Sequence, residues 1–449
     1  MTPPEELSIP PEVLDIARTL EKAGYETWCV GGAIRDALLG HPDLDWDIAT
    51  SATPPEVRQL FGHRRTIPVG VEFGTVGVLD RHGTMHEVTT FRRDVRTDGR
   101  HAEVEFGVSL EDDLARRDFT INAIAYSPKL DEIRDPFDGR GDLQRRVVRA
   151  VGDPEARMRE DRLRALRAIR FAARFDFAIE PATRRAIQES APMLDRLSRE
   201  RIKQELDKTM EQVRRPSAAL ATWRSVGAFR TLIPALDALP ASSLAVVDCL
   251  AMPGLAGRPA RRAIRFAGLF ASLTPSQATE VLIGLRASRH EIHLVSTLID
   301  RWRTLGSDMA AALETGDAPS DARVRGWVAT IGRLQVGPFM RLASGCWSAA
   351  RAAGTVAPEE RTVRSLHRRM LATALRDPID LGSLAIDGDD LRRAGIPPGP
   401  VLGRILQALL AAVIVDPTRN AADWLLHEAK RLAAADDHGG ALDGPRGRA

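Results

Sequence analysis

The chain has 449 residues, 28% of them charged, and a formal net charge of +2, so it is long enough for two to four domains with buried cores, and its basicity is local rather than global. Three scattered cysteines, Cys29, Cys249 and Cys346, argue against a disulfide framework or a zinc site, and the longest apolar run, 405–415, is too short to span a bilayer. The acidic, proline-rich start carries neither a basic nor an apolar leader segment, so the expectation is a cytoplasmic protein without a membrane and without an obligate protein partner.

Residues 11–23 place Val13, Leu14, Ile16, Ala17 and Leu20 at helical spacing and predict an amphipathic helix. Trp28, Cys29 and Val30 then lead into Gly31 and Gly32, a short helical pattern (Ile34, Ala37, Leu38) and a second apolar run holding Asp45, Trp46 and Asp47. That order reads strand, glycine turn, helix, strand. Alternation along a strand puts Asp45 and Asp47 on one face. Two adjacent carboxylates repel, and an oxygen-only set of this kind suits Mg²⁺, which completes its shell with water and substrate phosphates. The glycines let backbone approach a ligand closely, and the helix start that follows, with Arg35 and Asp36, offers N–H groups to a phosphate. A solvated strand after an ordinary glycine turn is the other reading of the same residues.

Further along, Pro54 and Pro55 open a short helix, and 74–79 and 84–91 are β-rich runs around a hairpin signal at 80–83. Glu87 lies in the second run and becomes a third carboxylate if that strand neighbours Asp45 and Asp47. The polar, basic stretch 92–101 predicts a mobile loop. Ser109 caps a short helix leading to Arg116, Arg117, Asp118 and Asn122, residue types that either hold a triphosphate and ribose or form a helix-end salt-bridge cluster.

From Pro154 the β signal fades. A helix predicted from near Glu160 carries Leu163, Leu166 and Ile169 on an apolar stripe, while Asp161, Arg164, Arg167 and Arg170 recur at every third position, which makes Asp161 and Arg164 neighbours on one face. An exposed ion pair accounts for that spacing, and so does base recognition. An aspartate accepts hydrogen bonds and an arginine donates them. The pairing edges of cytosine and adenine each present an amine donor beside a ring-nitrogen acceptor, whereas uracil and guanine present the reverse. An Asp/Arg pair therefore matches C and A and leaves polar groups unpaired against U and G. His290 and His293 read as solvent-facing helix residues, Pro400 starts a late helix, and the end from about Asp436 reads as disordered.

The blocks Gly31-Gly32-Ala33-Ile34-Arg35-Asp36, Asp45-x-Asp47, Arg116-Arg117-Asp118-Phe119-Thr120-x-Asn122-Ala123, Glu160-Asp161-x-x-Arg164 and Glu200-Arg201-Ile202-x-x-Glu205-Leu206 together resemble the class II tRNA nucleotidyltransferases, the CCA-adding enzymes, which share a polymerase-β-like head with bacterial poly(A) polymerases. The resemblance implies an α+β fold: a nucleotidyltransferase head with a mixed β-sheet (1–150), then an all-helical neck (151–225), body (226–340) and tail (341–435), with 436–449 disordered. It implies that Asp45 and Asp47 bind two Mg²⁺ ions with Glu87 as the third acidic residue. Gly32 and Arg35 would lie near the triphosphate, Arg116 and Asp118 near sugar and phosphates, and Asp161 with Arg164 against the base. The Glu200 block looks like the motif bracing the nucleotide-selecting helix. The nucleotide-binding set is then Gly31, Gly32, Arg35, Asp36, Arg116, Arg117, Asp118, Asn122, Asp161, Arg164, Arg167 and Arg170.

The implied activity is template-independent addition of C, C and A to tRNA from CTP and ATP. A poly(A) polymerase, an enzyme adding only CC or only A, and a silent tRNA-binding protein are the alternatives. Residues 70–76 look like the CCA-adding pattern, while Arg100-His101-Ala102 departs from the Arg-x-Pro or His-Pro of many members.

Overall fold

Pro11, with its φ already suited to a first turn, opens α1 (Pro11–Lys22), which buries Val13, Ile16, Ala17 and Leu20 as the sequence spacing requires. The computed structural model describes residues 7–41, 46–97, 102–251, 259–314 and 318–439. β1 (Thr27–Val30) is buried along its whole length and is followed by α2 (Gly32–Leu38) and β2 (Asp47–Thr50). α3 (Pro54–Phe61) begins behind a capping box between Thr53 and Glu56. Three strands come next, β3 (Thr66–Gly70), β4 (Thr75–Leu79) and β5 (Met85–Thr90), with the expected hairpin at 80–83 joining the last two.

β6 (Arg92–Thr97), β7 (Ala102–Phe106), α4 (Leu110–Ala115), β8 (Ala125–Ser127), β9 (Glu132–Arg134) and α5 (Gly139–Arg145) complete the first part of the chain. Helices then dominate: after β10 (Val147–Val148) come α6 (Pro154–Glu160), α7 (Leu163–Phe175), the two-residue β11 (Ala178–Ile179), α8 (Pro181–Ser190) and α9 (Arg199–Gln212). α10 (Pro216–Ser225), α11 (Ala228–Leu232) and α12 (Pro234–Asp237) follow.

Seven strands make one sheet in the order β3-β4-β5-β2-β1-β8-β9. β2 and β5 run parallel and every other neighbouring pair is antiparallel, so the sheet is mixed, as the resemblance implied. Trp28, Val30, Ala49, Leu110, Leu114 and Ala125 pack in one buried cluster, which ties β1, β2 and β8 to α4. Burying these side chains fixes the strand register, because a slip by one residue would exchange the side chains of the two packed faces.

Residues up to Ala238, with Gly284–Arg286, form one compact unit, and Leu239–Ile283 with everything from Ala287 form a second. The second is helical: α13 (Ala241–Ala245), α14 (Pro259–Leu269), α15 (Pro275–Gly284), α16 (Arg289–Glu314), α17 (Asp321–Ile331), α18 (Val336–Ala352), α19 (Glu360–Arg376), α20 (Gly388–Arg393), α21 (Pro400–Val415) and α22 (Ala422–Gly439). Leu391, Ile405, Leu409, Val413 and Leu425 form the small core that joins the last three of these. His290 and His293 are exposed on α16, and α21 starts at Pro400.

Three expectations change. The stretch 92–97 is not a loop but strand β6, paired antiparallel with β7 from Arg92 opposite Phe106 to Thr97 opposite Ala102, with a register shift between Asp94 and Arg96. Opposite charges across the ladder, such as Arg93 to Glu105 at 2.7 Å, give a polar ribbon the cross-strand pairing that its composition hides; the remainder, 98–101, lies outside the described residues. The helix expected from Glu160 is broken: α6 ends at Glu160 and α7 starts at Leu163, with Asp161 extended at φ −144° between them. The Asp161 carboxylate accepts the Leu163 N–H at 3.0 Å, a local side-chain-to-backbone bond that competes with helical continuation. Asp161 and Arg164 are therefore not neighbours on one helical face. Finally, α22 continues through 436–439, and only 440–449 lie outside the described residues.

Candidate active site

The sheet wall of the site begins where β1 ends. Gly31 has φ +78°, and a Cβ there would lie 2.9 Å from Nη1 of Arg117 and 3.8 Å from Oδ2 of Asp47, so the first glycine is required both by backbone and by space. Asp47 opens β2 opposite Val30. Ile48 pairs with Val88 across the parallel β2–β5 ladder, and both are fully buried. One residue earlier on each strand, Asp47 and Glu87 stand level with each other on the opposite face of the sheet. Glu87 is exposed there and does not line the cleft. Asp45 lies outside the described residues; among those described, no group of three His, Cys, Asp or Glu side chains comes together as a metal site.

A cavity of about 490 Å³ opens beside this wall, within the range of small-ligand pockets. Gly31, Gly32 and Asp47 line it from the strand side, and Arg116, Arg117, Asp118 and Asn122 from the segment after α4. Asp161, Arg164, Arg167 and Arg170 line it from α7 and the break before it. Arg35 joins them from α2, whereas Asp36 stands behind, not in the lining. Nine basic side chains face three carboxylates in that lining, so the cavity is built for a polyanion.

Each cation is fixed by a protein acceptor. Asp113, 1% exposed, takes bonds from Arg116 at 2.7 and 3.0 Å and from Arg117 at 3.0 Å, so one buried carboxylate aims two adjacent guanidiniums. Arg35 donates to Asp36 at 2.7 Å and to the amide oxygen of Asn122, whose Nδ2 in turn donates to Asp118 at 2.9 Å. Arg167 donates to the other oxygen of Asp118 at 2.8 Å. Burial alone would raise the Asp118 pKa, but the Arg167 guanidinium and the Asn122 amide outweigh it and hold the carboxyl below its ordinary value. Arg164 donates to Glu160 at 2.7 Å and to the Arg116 carbonyl at 2.9 Å, which couples α7 to the segment after α4.

The partner of Asp161 is Arg201 on α9, at 2.7 Å, not Arg164. The same helix supplies Glu205, 2% exposed, which accepts from Arg170 at 2.7 Å, and Gln212, which accepts from Arg170 at 3.3 Å. Lys208 also lines the cavity. Burial lowers its pKa despite Glu205 nearby, and Arg170 and Arg167 push the same way.

Sequence reasoning passed over Asp113, Arg174, Lys208 and Gln212 as site residues. Asp113 was legible in principle, because it precedes Arg116 and Arg117 by three and four residues, the spacing at which helical side chains meet. Lys208 follows Glu205 by three on α9 and Arg174 follows Arg170 by four on α7, so each continues a face already carrying a site residue. Gln212 carried no comparable signal.

Residues 27–149 match the family described as Poly A polymerase head domain, and residues 176–239 the one described as Probable RNA and SrmB- binding site of polymerase A. The chain is similar to the CCA-adding enzyme of Limosilactobacillus reuteri, 34% identical over 425 residues, which covers 93% of this chain and 95% of that one. It is also similar to the crystal structure of the Bacillus stearothermophilus CCA-adding enzyme in complex with CTP: TM-score 0.75, 31% identity, 96% of this chain and 100% of that one. The fold recurs in the Thermotoga maritima CCA-adding enzyme complexed with tRNA, with TM-score 0.64 and 22% identity over 94% of this chain and 96% of that one.

Proposed function

We propose that this chain, which belongs to the CCA-adding enzyme family, completes the 3′ end of tRNA by adding C, C and A from CTP and ATP without a nucleic-acid template. It is a nucleotidyltransferase. A bond forms between the RNA 3′ oxygen and the α-phosphorus of the nucleotide, and the bond from that phosphorus to the leaving pyrophosphate breaks. The observation that carries this reading is the gathering of nine basic side chains in one cavity whose opposite edge is a strand bearing Asp47.

In this reading Arg35, Arg116 and Arg117 bind the triphosphate and sugar from positions fixed by Asp36 and Asp113. The base lies against Asp161 and Arg164. Asp161 keeps lone pairs free beyond its bonds to Arg201 and Leu163, and Arg164 has five N–H donors, more than its bonds to protein acceptors use. The pair can thus still accept from an amine and donate to a ring nitrogen, the edge that cytosine and adenine share.

A divalent cation belongs to this chemistry, and we assign Mg²⁺ to it, held by Asp45 and Asp47 with Glu87 as the third carboxylate. Two observations support the assignment: Asp47 and Glu87 are level on one sheet face, and carboxylates offer the oxygen donors that Mg²⁺ prefers. When bound, Mg²⁺ supplies acidification of the RNA hydroxyl and neutralisation of phosphate charge.

The division into head (1–150), neck (151–225), body (226–340) and tail (341–435) is part of this proposal, as is a cytoplasmic location shared with the tRNA substrate. Among the described residues no helix is long and apolar enough to cross a membrane. Purified protein incubated with tRNA lacking its 3′ end, Mg²⁺, CTP and ATP should lengthen the RNA by three nucleotides and stop. An open-ended A tail would instead identify a poly(A) polymerase, a halt after CC a partial enzyme, and no extension a binding protein.

A further inference from the structure

One aromatic ring in the cavity wall touches more of its guanidiniums than any single carboxylate does. Phe171, on α7 and 5% exposed, has the guanidinium carbons of Arg170, Arg35 and Arg167 at 4.3, 5.0 and 5.4 Å from its centroid. Arg35 comes from α2 and the other two from α7, so the ring joins two elements. Phe175 lies nearly parallel to it, with centroids 6.0 Å apart and an interplanar angle of 5°, and it contacts Arg35 at 4.8 Å and Arg174 at 4.9 Å. Fully buried Phe119 meets Phe171 at a steep angle, 80°, and fixes its plane.

The carboxylates do not balance these cations. Asp118 serves Arg167 and Glu205 serves Arg170, while Asp36 is divided between Arg35 and Arg174. Burial lowers the pKa of both Arg170 and Arg174, as expected for cations crowded in a partly dry wall. The negative face of an aromatic ring offers such cations attraction without a further anion, and an anion there would compete with the incoming phosphates.

We propose that Phe171 is a positioning residue for the nucleotide, its π face gathering Arg35, Arg167 and Arg170 so that they meet the substrate as one preset group. The inference rests on the nucleotide-transfer reading of this cavity. Its consequence is that affinity for nucleotide depends on the electron density of the ring and not only on its volume.

Replacing Phe171 by phenylalanines carrying one, two and three ring fluorines keeps the volume nearly constant while draining that density. CTP and ATP dissociation constants, measured by titration calorimetry with Mg²⁺ present, should rise stepwise and alike, by about tenfold across the series. In extension assays the change should appear in KM, with kcat moving less than threefold (roughly, for an effect on binding alone). Phe171→Leu, which removes the π face altogether, should sit at or beyond the weak end of the series. Dissociation constants that stay flat under fluorination would overturn the proposal and leave Phe171 as a space-filling core residue. If Phe171→Leu fails to fold, the fluorinated series still decides. The calorimetric arm also separates the two readings: wild-type protein that binds CTP but does not extend tRNA contradicts the proposed function, whereas a flat series in an active enzyme contradicts only the role of the ring.

Discussion

The carboxylates on the two sides of the cavity differ in burial and in partners. On the helical side, buried Asp113 and Glu205 and partly buried Asp118 are spent on arginines, at 2.7 to 3.0 Å. On the sheet side, Asp47 and Glu87 stand level on one face of β2 and β5, Asp47 half-buried and Glu87 exposed to solvent. The first group determines where positive charge points. The second, in the function proposed above, is the group assigned to the cation. Residue type alone does not separate these roles; burial and partners do.

The largest effect should follow from neutralising the sheet wall. Asp47→Asn keeps shape and hydrogen-bonding reach at a half-buried strand start, so turnover should fall by about 10³-fold or more while tRNA retention in a filter-binding assay is unchanged. Turnover near wild type would mean that Asp47 is only a strand-end residue.

Next in size is the corresponding change on the helical wall. Glu205→Gln leaves Arg170 buried without its counter-charge and should remove about 3–5 kcal/mol of unfolding free energy in urea titrations. Glu87→Gln, at an exposed position, should leave the same quantity within about 0.5 kcal/mol and should instead lower turnover. Equal stability losses in the two variants would erase the distinction between the walls.

A third test concerns selection. Asp161→Ala removes the acceptor for an exocyclic amine, so misincorporation of UTP and GTP should rise by about 10²-fold relative to CTP while tRNA affinity changes little. Unaltered nucleotide choice would reduce Asp161 to an ion-pair partner of Arg201.

The smallest effect is the pH dependence of stability. Because Asp118 has a folded pKa below its ordinary 3.8, its contribution is complete above that value and is lost as pH falls through the folded pKa. The unfolding midpoint should therefore be insensitive to this group between about pH 5 and 7 and should decline in stronger acid, and Asp118→Asn should flatten that acid limb. Asp113, depressed by Arg117 and Arg116 against the opposing effect of burial, adds to the same limb.

Much of this was legible in the sequence, and the part that was not has physical causes. α1, the glycine turn at Gly31, β4 and β5 with their hairpin, and the Pro400 helix all carry local signals, either periodicity or turn chemistry, and each formed where those signals lie. The cavity lining drew in twelve residues already singled out, from Gly31 to Arg170, because they fall in short contiguous blocks. β6 was missed because its strand character lies in pairing with β7, not in its own polar composition. The α6–α7 break was missed because Arg162 to Arg164 continue a helical period; one hydrogen bond, donated by the Leu163 N–H to the Asp161 carboxylate, interrupts it. The Asp161–Arg201 pair joins residues 40 apart, beyond the reach of any local pattern.

The claim that the two walls use their carboxylates differently is tested most directly by Mn²⁺ titration followed by electron paramagnetic resonance, in the presence of CTP, on wild-type protein and on the Asp47→Asn and Asp118→Asn variants. The wild type should bind Mn²⁺ tightly, Asp47→Asn should lose that binding, and Asp118→Asn should retain it. Tight binding that survives in Asp47→Asn and disappears in Asp118→Asn would contradict the account.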